Sequence, residues 1–377
     1  MLNGILDWAG SNVELVAMIL KLALVLIVLL HVAPLMAWAE RRICSWMQNR
    51  TGPNRVGPFG LLQSIADAVK FIFKEDLVPA HVRKWYYLAA PGLCVVPAFM
   101  TFAVVPFGPI VEVNGVKIAL QLSTLNMGFL WVTAVSSLAV YGVIVASWAS
   151  NNKYSMLGGL RATAQMISYE LAMGLSLLTV IMYFNSVDLM EIANSQIGQL
   201  KFFGTEFPLP VPNWGIFHQP IAALIFIIAA FAETNRLPFD LPEGEAEIVA
   251  GYHLEYGGMK WSLFFMAEYA HMITASGLVA TFFLGGFDAP GAQWMIEMIN
   301  AKFALGEQFA YWGLVAAQIL AFWTKVILFM LFFIVIRFTL PRFRYDQLMW
   351  LGWKVLVPIA LVNIVLTAVA IAFSVVR

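Results

Sequence analysis

The chain has 377 residues and only two cysteines, Cys44 and Cys94, which lie far apart and in no metal-ligand spacing. An iron–sulfur cluster usually takes four thiolates, so the chain cannot hold one by itself, and no metal site is expected. Charge is scarce as well. Asp, Glu, Lys and Arg make up 12% of the residues, against roughly 25% in soluble domains. The 22 basic and 22 acidic residues cancel and no basic tail is present, which argues against a nucleic-acid partner. No CxxCH, GxGxxG or Walker pattern occurs, so nothing marks a haem, dinucleotide or nucleotide site. The first apolar run is too long for a cleavable signal peptide and lacks a small-residue cleavage site, so it reads as a retained span.

What the chain has in excess is apolar length, with 61% of its residues hydrophobic. A bilayer leaves no water for the backbone, so each span must satisfy its own hydrogen bonds as a helix. The expected fold is an all-α polytopic membrane protein, a single integral membrane domain over 1–377. About eight transmembrane helices are expected, near 13–38, 86–107, 128–149, 160–184, 220–232, 261–285, 312–336 and 348–376. A loop over 40–84 contains two Gly-Pro steps and then an amphipathic stretch, 59–76, too short to span. Leu61, Leu62, Ile65, Val69 and Ile72 share one face of it, and Gln63, Asp67, Lys70 and Lys74 the other. It reads as an interfacial helix with its lysines toward headgroups or a partner. Residues 186–218 and 286–311 read as loops. Fifteen Lys and Arg fall in the loops after the odd-numbered spans and three after the even-numbered ones. That bias places the interfacial helix and the loop between spans 5 and 6 on the cytoplasmic side, with both termini outside.

Acids concentrate in residues 232–269, which hold Glu233, Asp240, Glu243, Glu245, Glu247, Glu255 and Glu268, seven of the chain's 22. Phe239, Ile248 and Val249 set apolar surface beside them, and carboxylates held that way can trade protons near neutral pH. The bland alternative is a solvated loop that happens to be acidic. Glu170, Glu268 and Lys325 fall well inside expected spans, with Glu170 roughly 15 Å along its helix. Each costs roughly 2.5–3.5 kcal/mol at a helix centre, so each should face protein or a wet cavity. A proton path explains them, and so does a buried Glu–Lys pair that only fixes packing. His253 reads as solvated or structural, and His31 and His271 read as packed within spans rather than as metal ligands.

Three stretches, ERRICSWMQNRTGPNRVGP, ADAVKFIFKED and AETNRLPFDLPEGEAEIVAGYHLEY, resemble the membrane subunit at the quinone site of respiratory complex I. This is the family of the NADH–quinone oxidoreductase H subunit, or NADH dehydrogenase subunit 1. The resemblance runs from Glu40 to Arg344. It implies a subunit that forms part of a quinone tunnel in a proton-pumping NADH:quinone oxidoreductase, a translocase of the respiratory chain. Ubiquinone or another quinone would be the substrate. FMN and iron–sulfur clusters would lie on partner subunits, with no redox centre on this chain. The implied partners are the peripheral-arm quinone-site subunits, the antiporter-like membrane-arm subunits and the bilayer, in a bacterial plasma (inner) membrane. By motif position, Glu40, Arg41, Arg50, Arg55 and Asp67 match the start of the tunnel. Phe239, Asp240, Glu243, Glu245, Glu247 and Glu255, in a loop over 233–260, match the acidic funnel. Glu170, Glu233 and Glu268 match a chain of intramembrane acids, to which the apolar setting of Lys325 adds a fourth group.

The rivals are specific. A membrane-bound hydrogenase, or a complex with another electron donor, has a homologous subunit of the same architecture. A stand-alone cation transporter would show internal repeats and broken helices at the midplane, and neither is visible. A passive anchor leaves the buried acids without a reason.

Overall fold

The computed structural model describes residues 13–375 other than 114, 203–204, 207–210, 242–243 and 304–305. The first helix, α1, runs over Val13–Met47. At about 1.5 Å per residue it is roughly 50 Å long, against a hydrocarbon core of about 30 Å. It is therefore longer than the apolar layer is thick, and its last turns carry Glu40, Arg41 and Arg42. Residues 40–47, expected to open a loop, are helix.

The segment after α1 folds back on the helix. Arg42 donates from Nη1 to Pro53 O and Phe59 O, both at 3.1 Å, and Trp38 Nε1 donates to Phe59 O at 3.1 Å. This return needs left-handed backbone at Gly60, where φ is +75° and a Cβ would run into the Pro53 carbonyl. Gly60→Ala is therefore expected to destabilise the segment by roughly 1–3 kcal/mol. A lower melting temperature of the purified protein would register it.

Helix α2, Gln63–Phe73, crosses α1, and Ser64 Oγ donates to Pro34 O at 2.7 Å. Its face with Ile65, Val69 and Ile72 is exposed, while Ser64, Asp67, Ala68 and Phe71 turn toward α1 and a later helix. Of the stripe whose lysines were expected to face headgroups or a partner, Asp67 and Lys70 border a cavity. Next come α3 (Lys84–Thr101, extended as a 3-10 turn to Val104) and an antiparallel hairpin, β1 (Ile110–Val113) and β2 (Val116–Ala119). Then follow α4 (Gly128–Ala149) and α5 (Lys153–Phe184). The stretch expected as a loop holds α6 (Leu189–Ser195), the short pair β3 (Lys201–Phe202) and β4 (Thr205–Glu206), and α7 (Gly215–His218).

Helix α8 is Pro220–Glu233, and α9 a single turn, Glu245–Ile248. Val249 ends α9 at φ +67°, where a β-branched side chain is strained. Helix α10 is Gly258–Phe283, α11 Ala292–Phe303 and α12 Glu307–Thr339. The chain closes with α13 (Tyr345–Trp350), a π-helical turn over Leu351–Leu356, and α14 (Val357–Val375).

Among the described residues seven helical segments are long and apolar enough to cross a membrane: α1, α3, α4, α5, α10, α12 and α13–α14. The expected span at 220–232 is α8, which has 14 residues and reaches only about 21 Å. It is nonetheless deep in the core, with Ala222, Phe226, Ala229 and Ala230 at 2% exposure or less. A short helix followed by irregular backbone is tolerated at membrane depth because protein surrounds it. Gln219, at its start, donates to Thr367 Oγ1 at 3.1 Å and accepts from Asn363 Nδ2 at 3.2 Å, tying α8 to α14 inside the core. Helix α10 is central: most of it is buried, whereas most of α1 is not.

Candidate functional site

Helices α1, α2, α10 and α12 enclose a cavity of about 530 Å³. Ala33, Pro34 and Ala37 of α1, Ala68 and Phe71 of α2, and Trp261, Phe265 and Met266 of α10 make its wall largely apolar. That volume falls within the range of small-molecule sites, roughly 300–1,000 Å³. Polar groups line it as well: Glu40, Arg41, Asp67, Tyr269 and Arg337.

Glu40 is the hub of these groups. Tyr269 Oη donates to its Oε2 at 2.8 Å, Arg236 Nη1 donates to the same oxygen at 3.2 Å, and Arg337 Nη1 donates to Oε1. Arg236 is 5% exposed, and its guanidinium lies over the Tyr269 ring at 4.4 Å. Burial works against its charge, but Tyr269, Glu40 and Glu268 outweigh that and hold its pKa above the ordinary arginine value. Its second amino group, Nη2, is 3.8 Å from Glu268 Oε2, and Tyr252 Oη donates to Glu268 Oε1 at 3.4 Å. One buried guanidinium thus bridges the cavity carboxylate and an intramembrane carboxylate.

Beyond Glu268 lies a small chamber of about 30 Å³, lined by Glu233, Asn235, Glu268, His271, Cys94 and Met166 among others. That is room for about one water. Glu170 lies within electrostatic reach of Glu233 and accepts a hydrogen bond from Ser137 Oγ. Glu40, Glu268, Glu233 and Glu170 therefore form a file from the large cavity into the helix bundle, with Arg236 joining its first two members.

The acidic loop is clamped rather than bare. Asp240 is 8% exposed and 3.0 Å from Arg342 Nη2, and Glu247 is 2.6 Å from Arg161 Nη2. Glu255 accepts from Asn152 Nδ2 at 2.7 Å and lies 3.6 Å from His81 Nε2. Glu243 and the side chain of Glu245 lie outside the described residues.

A model of the family described as NADH dehydrogenase matches residues 20–368. The chain belongs to that family. It is 46% identical to the second of the NADH-quinone oxidoreductase H subunits of Geobacter sulfurreducens, over 94% of this chain and 96% of the relative. Identity to the NADH-quinone oxidoreductase H subunit of Thermomicrobium roseum is 47%, over 90% of this chain and 92% of the relative. The corresponding H subunit of Bdellovibrio bacteriovorus is 43% identical, over 93% and 95%.

In this NADH dehydrogenase family member the remaining expected residues are dispersed. Arg41 donates to Asp67 Oδ2 at 2.6 Å, pinning α2 to α1 at the cavity edge. Arg50 shares a second groove of about 340 Å³ with Glu40, Arg41 and Cys44, while Arg55 stays exposed on the 48–62 segment. Phe239 is buried, stacked on Phe343 at 5.5 Å and against Tyr169 at 5.7 Å, and does not line the large cavity. Lys325 donates to Gly286 O at 3.0 Å and Asp288 O at 2.7 Å and lies over Trp214 at 4.8 Å. Those carbonyls follow the far end of α10, about 20 Å along that helix from Glu268, so Lys325 stands apart from the carboxylate file.

Three groups at the site do not stand out as functional in the sequence: Arg236, Tyr269 and His271. Arg236 reads as one more cytoplasmic charge until its loop is seen packed inside the protein. His271 had a usable signal, because it sits three residues after Glu268 and shares its helix face. His31, expected to be packed, is exposed on α1 and bonds through Nδ1 to Ile27 O at 2.8 Å.

Asp67 carries a pH prediction. Partial burial raises its pKa, but the hydrogen bond and charge of Arg41, with smaller help from Gln63 and Lys70, bring it below the usual aspartate value. A depressed carboxyl stabilises above its unfolded pKa and loses that effect only as pH falls through the folded value. The Arg41–Asp67 link is therefore intact across the neutral range. Asp67→Asn is expected to lower the melting temperature slightly, by an amount that does not change with pH there. Melting curves of the purified protein at several pH values check it.

Proposed function

We propose that the chain is the membrane subunit that forms the quinone site of a proton-pumping NADH–quinone oxidoreductase. The observation that carries this is the continuity between an apolar cavity and a file of carboxylates through Arg236. A quinone tail suits the Ala33–Pro34–Ala37 and Phe265–Met266 wall. The polar headgroup suits the end where Glu40, Tyr269 and Arg337 meet.

The chemistry asks for this arrangement. Two electrons and two protons convert a quinone to a quinol. The electrons come from partner subunits, on which the family's FMN and iron–sulfur clusters would lie. This chain's own residues hold the headgroup, keep bulk water out and answer the change in charge. The answer begins at Glu40 and Arg236. Arg236 holds Glu40 and Glu268 at once, so a shift toward one loosens the other. Glu268 then shares the chamber with Glu233, and Glu233 feels Glu170. Carboxylates so arranged titrate together rather than singly. The acidic loop, braced by Arg161 and Arg342, is the side facing the peripheral arm, and antiporter-like subunits lie beyond Glu170. The Lys and Arg bias supports a reading in which that loop and α2 face the cytoplasm at a bacterial inner membrane.

The test is a gentle tagged purification from native membranes, followed by NADH-driven quinone reduction with and without a quinone-site inhibitor. Inhibitor-sensitive activity in a large co-purifying assembly is expected. A large assembly inert to NADH points to another donor or a hydrogenase. A chain that purifies alone and stably overturns the proposal.

A further inference from the structure

Gln165 of α5 is fully buried, and its single amide nitrogen faces three acceptors. Nε2 lies 2.7 Å from Ala232 O, 2.9 Å from Phe239 O and 3.2 Å from Asn235 Oδ1. An amide nitrogen has two hydrogens, so it serves two of the three at a time. Its Oε1 is buried without a hydrogen-bond partner among the described residues. The acceptors lie at three functionally different places. Ala232 is next to Glu233 at the end of α8. Phe239 is next to Asp240, where Arg342 clamps the acidic loop. Asn235 lines the chamber that also holds Glu233 and Glu268.

Two of the three pairings keep the shortest contact, to Ala232 O. With Phe239 O in place, the amide spans Ala232 and Phe239, and Asn235 is left to its weaker contact, Nδ2 to Met166 Sδ at 3.9 Å. If Phe239 withdraws with the loop, the second hydrogen passes to Asn235 Oδ1 and fixes that side chain in the chamber wall. We propose that Gln165 is a positioning residue that carries the state of the acidic loop to the chamber between Glu233 and Glu268. The proposal rests on the proton-pumping function proposed above and names the side chain through which the loop acts on the carboxylate file. The charged neighbours of its acceptors are Glu233, Arg236 and Asp240.

The test uses the whole complex in proteoliposomes, with NADH and quinone supplied and proton uptake and electron flow measured together. Gln165→Met removes both donated bonds and keeps the volume. It is expected to leave quinone turnover within about twofold and to lower protons moved per electron to about half or below. Gln165→Glu keeps the shape and supplies a donor only when its carboxyl is protonated. Its stoichiometry, relative to wild type at the same pH, is expected to recover as pH falls, which a purely structural role would not produce. Wild-type stoichiometry at every pH in either assembled variant overturns the proposal. Should Gln165→Met fail to assemble, the pH series on Gln165→Glu decides alone. Glu233→Gln runs in parallel. If it too pumps normally, the carboxylate file is wrong, and if it alone fails to pump, only the role of Gln165 is wrong.

Discussion

Arg236→Met is expected to abolish NADH-driven quinone reduction by the assembled complex and to lower the amount that assembles. The guanidinium is 5% exposed and holds two carboxylates, Glu40 at 3.2 Å and Glu268 at 3.8 Å, while covering the Tyr269 ring. Removing one partner of a buried ion pair costs roughly 3–5 kcal/mol, mostly because the other charge stays buried and uncompensated. That is a large part of a typical domain's stability of about 5–15 kcal/mol. Arg337 still meets Glu40, so the carboxylate whose charge balance suffers more is Glu268. The double variant Arg236→Met, Glu268→Gln removes that charge and is expected to recover assembly but not pumping. Band intensity on native gels reads the first effect, and proton uptake by proteoliposomes reads the second. Arg236→Met with normal turnover would show that the cavity and the carboxylate file work independently.

The sequence made the spans legible because the bilayer leaves few alternatives. It also made Glu170 and Glu268 stand out, because charge is rare around them, whereas Glu233 entered only by motif position. The residues that connect them were not legible. Arg236, Tyr269 and Gln165 owe their importance to burial created by contacts distant in sequence, such as residue 165 against 239. Neither periodicity nor composition reports such contacts. Motif position likewise grouped Phe239 with the acidic funnel without reporting that its ring packs against Tyr169 and Phe343. Its apolar setting left Lys325 associated with the acids, although its helix carries it to the loop after α10. Helix α2 is intermediate. Its two faces were readable from spacing, but only its crossing with α1 shows that Asp67 borders a cavity.

If the cavity is the quinone path, a bulky side chain grown into it should stop quinone without touching upstream electron transfer. Ala68 is well placed for this. It lines the cavity from α2 and is exposed rather than packed, so an indole there enters open space and does not overpack a core. Ala68→Trp is expected to cut NADH:quinone turnover at least tenfold, a barrier change of about 1.4 kcal/mol or more. NADH oxidation with a water-soluble artificial acceptor, which needs only the peripheral arm, is expected to stay at the wild-type rate. Ala66→Trp is the control. Ala66 is also exposed on α2, but it is two residues away and so points to a different side of the helix. Turnover there is expected to change little. A short-tailed quinone separates blockage of the path from damage at its polar end. It presents less length to the constriction, so Ala68→Trp should slow it less than a long-tailed one. Equal loss with both quinones, or equal loss in both variants, would mean that α2 acts by holding the assembly together and that this cavity is not the route.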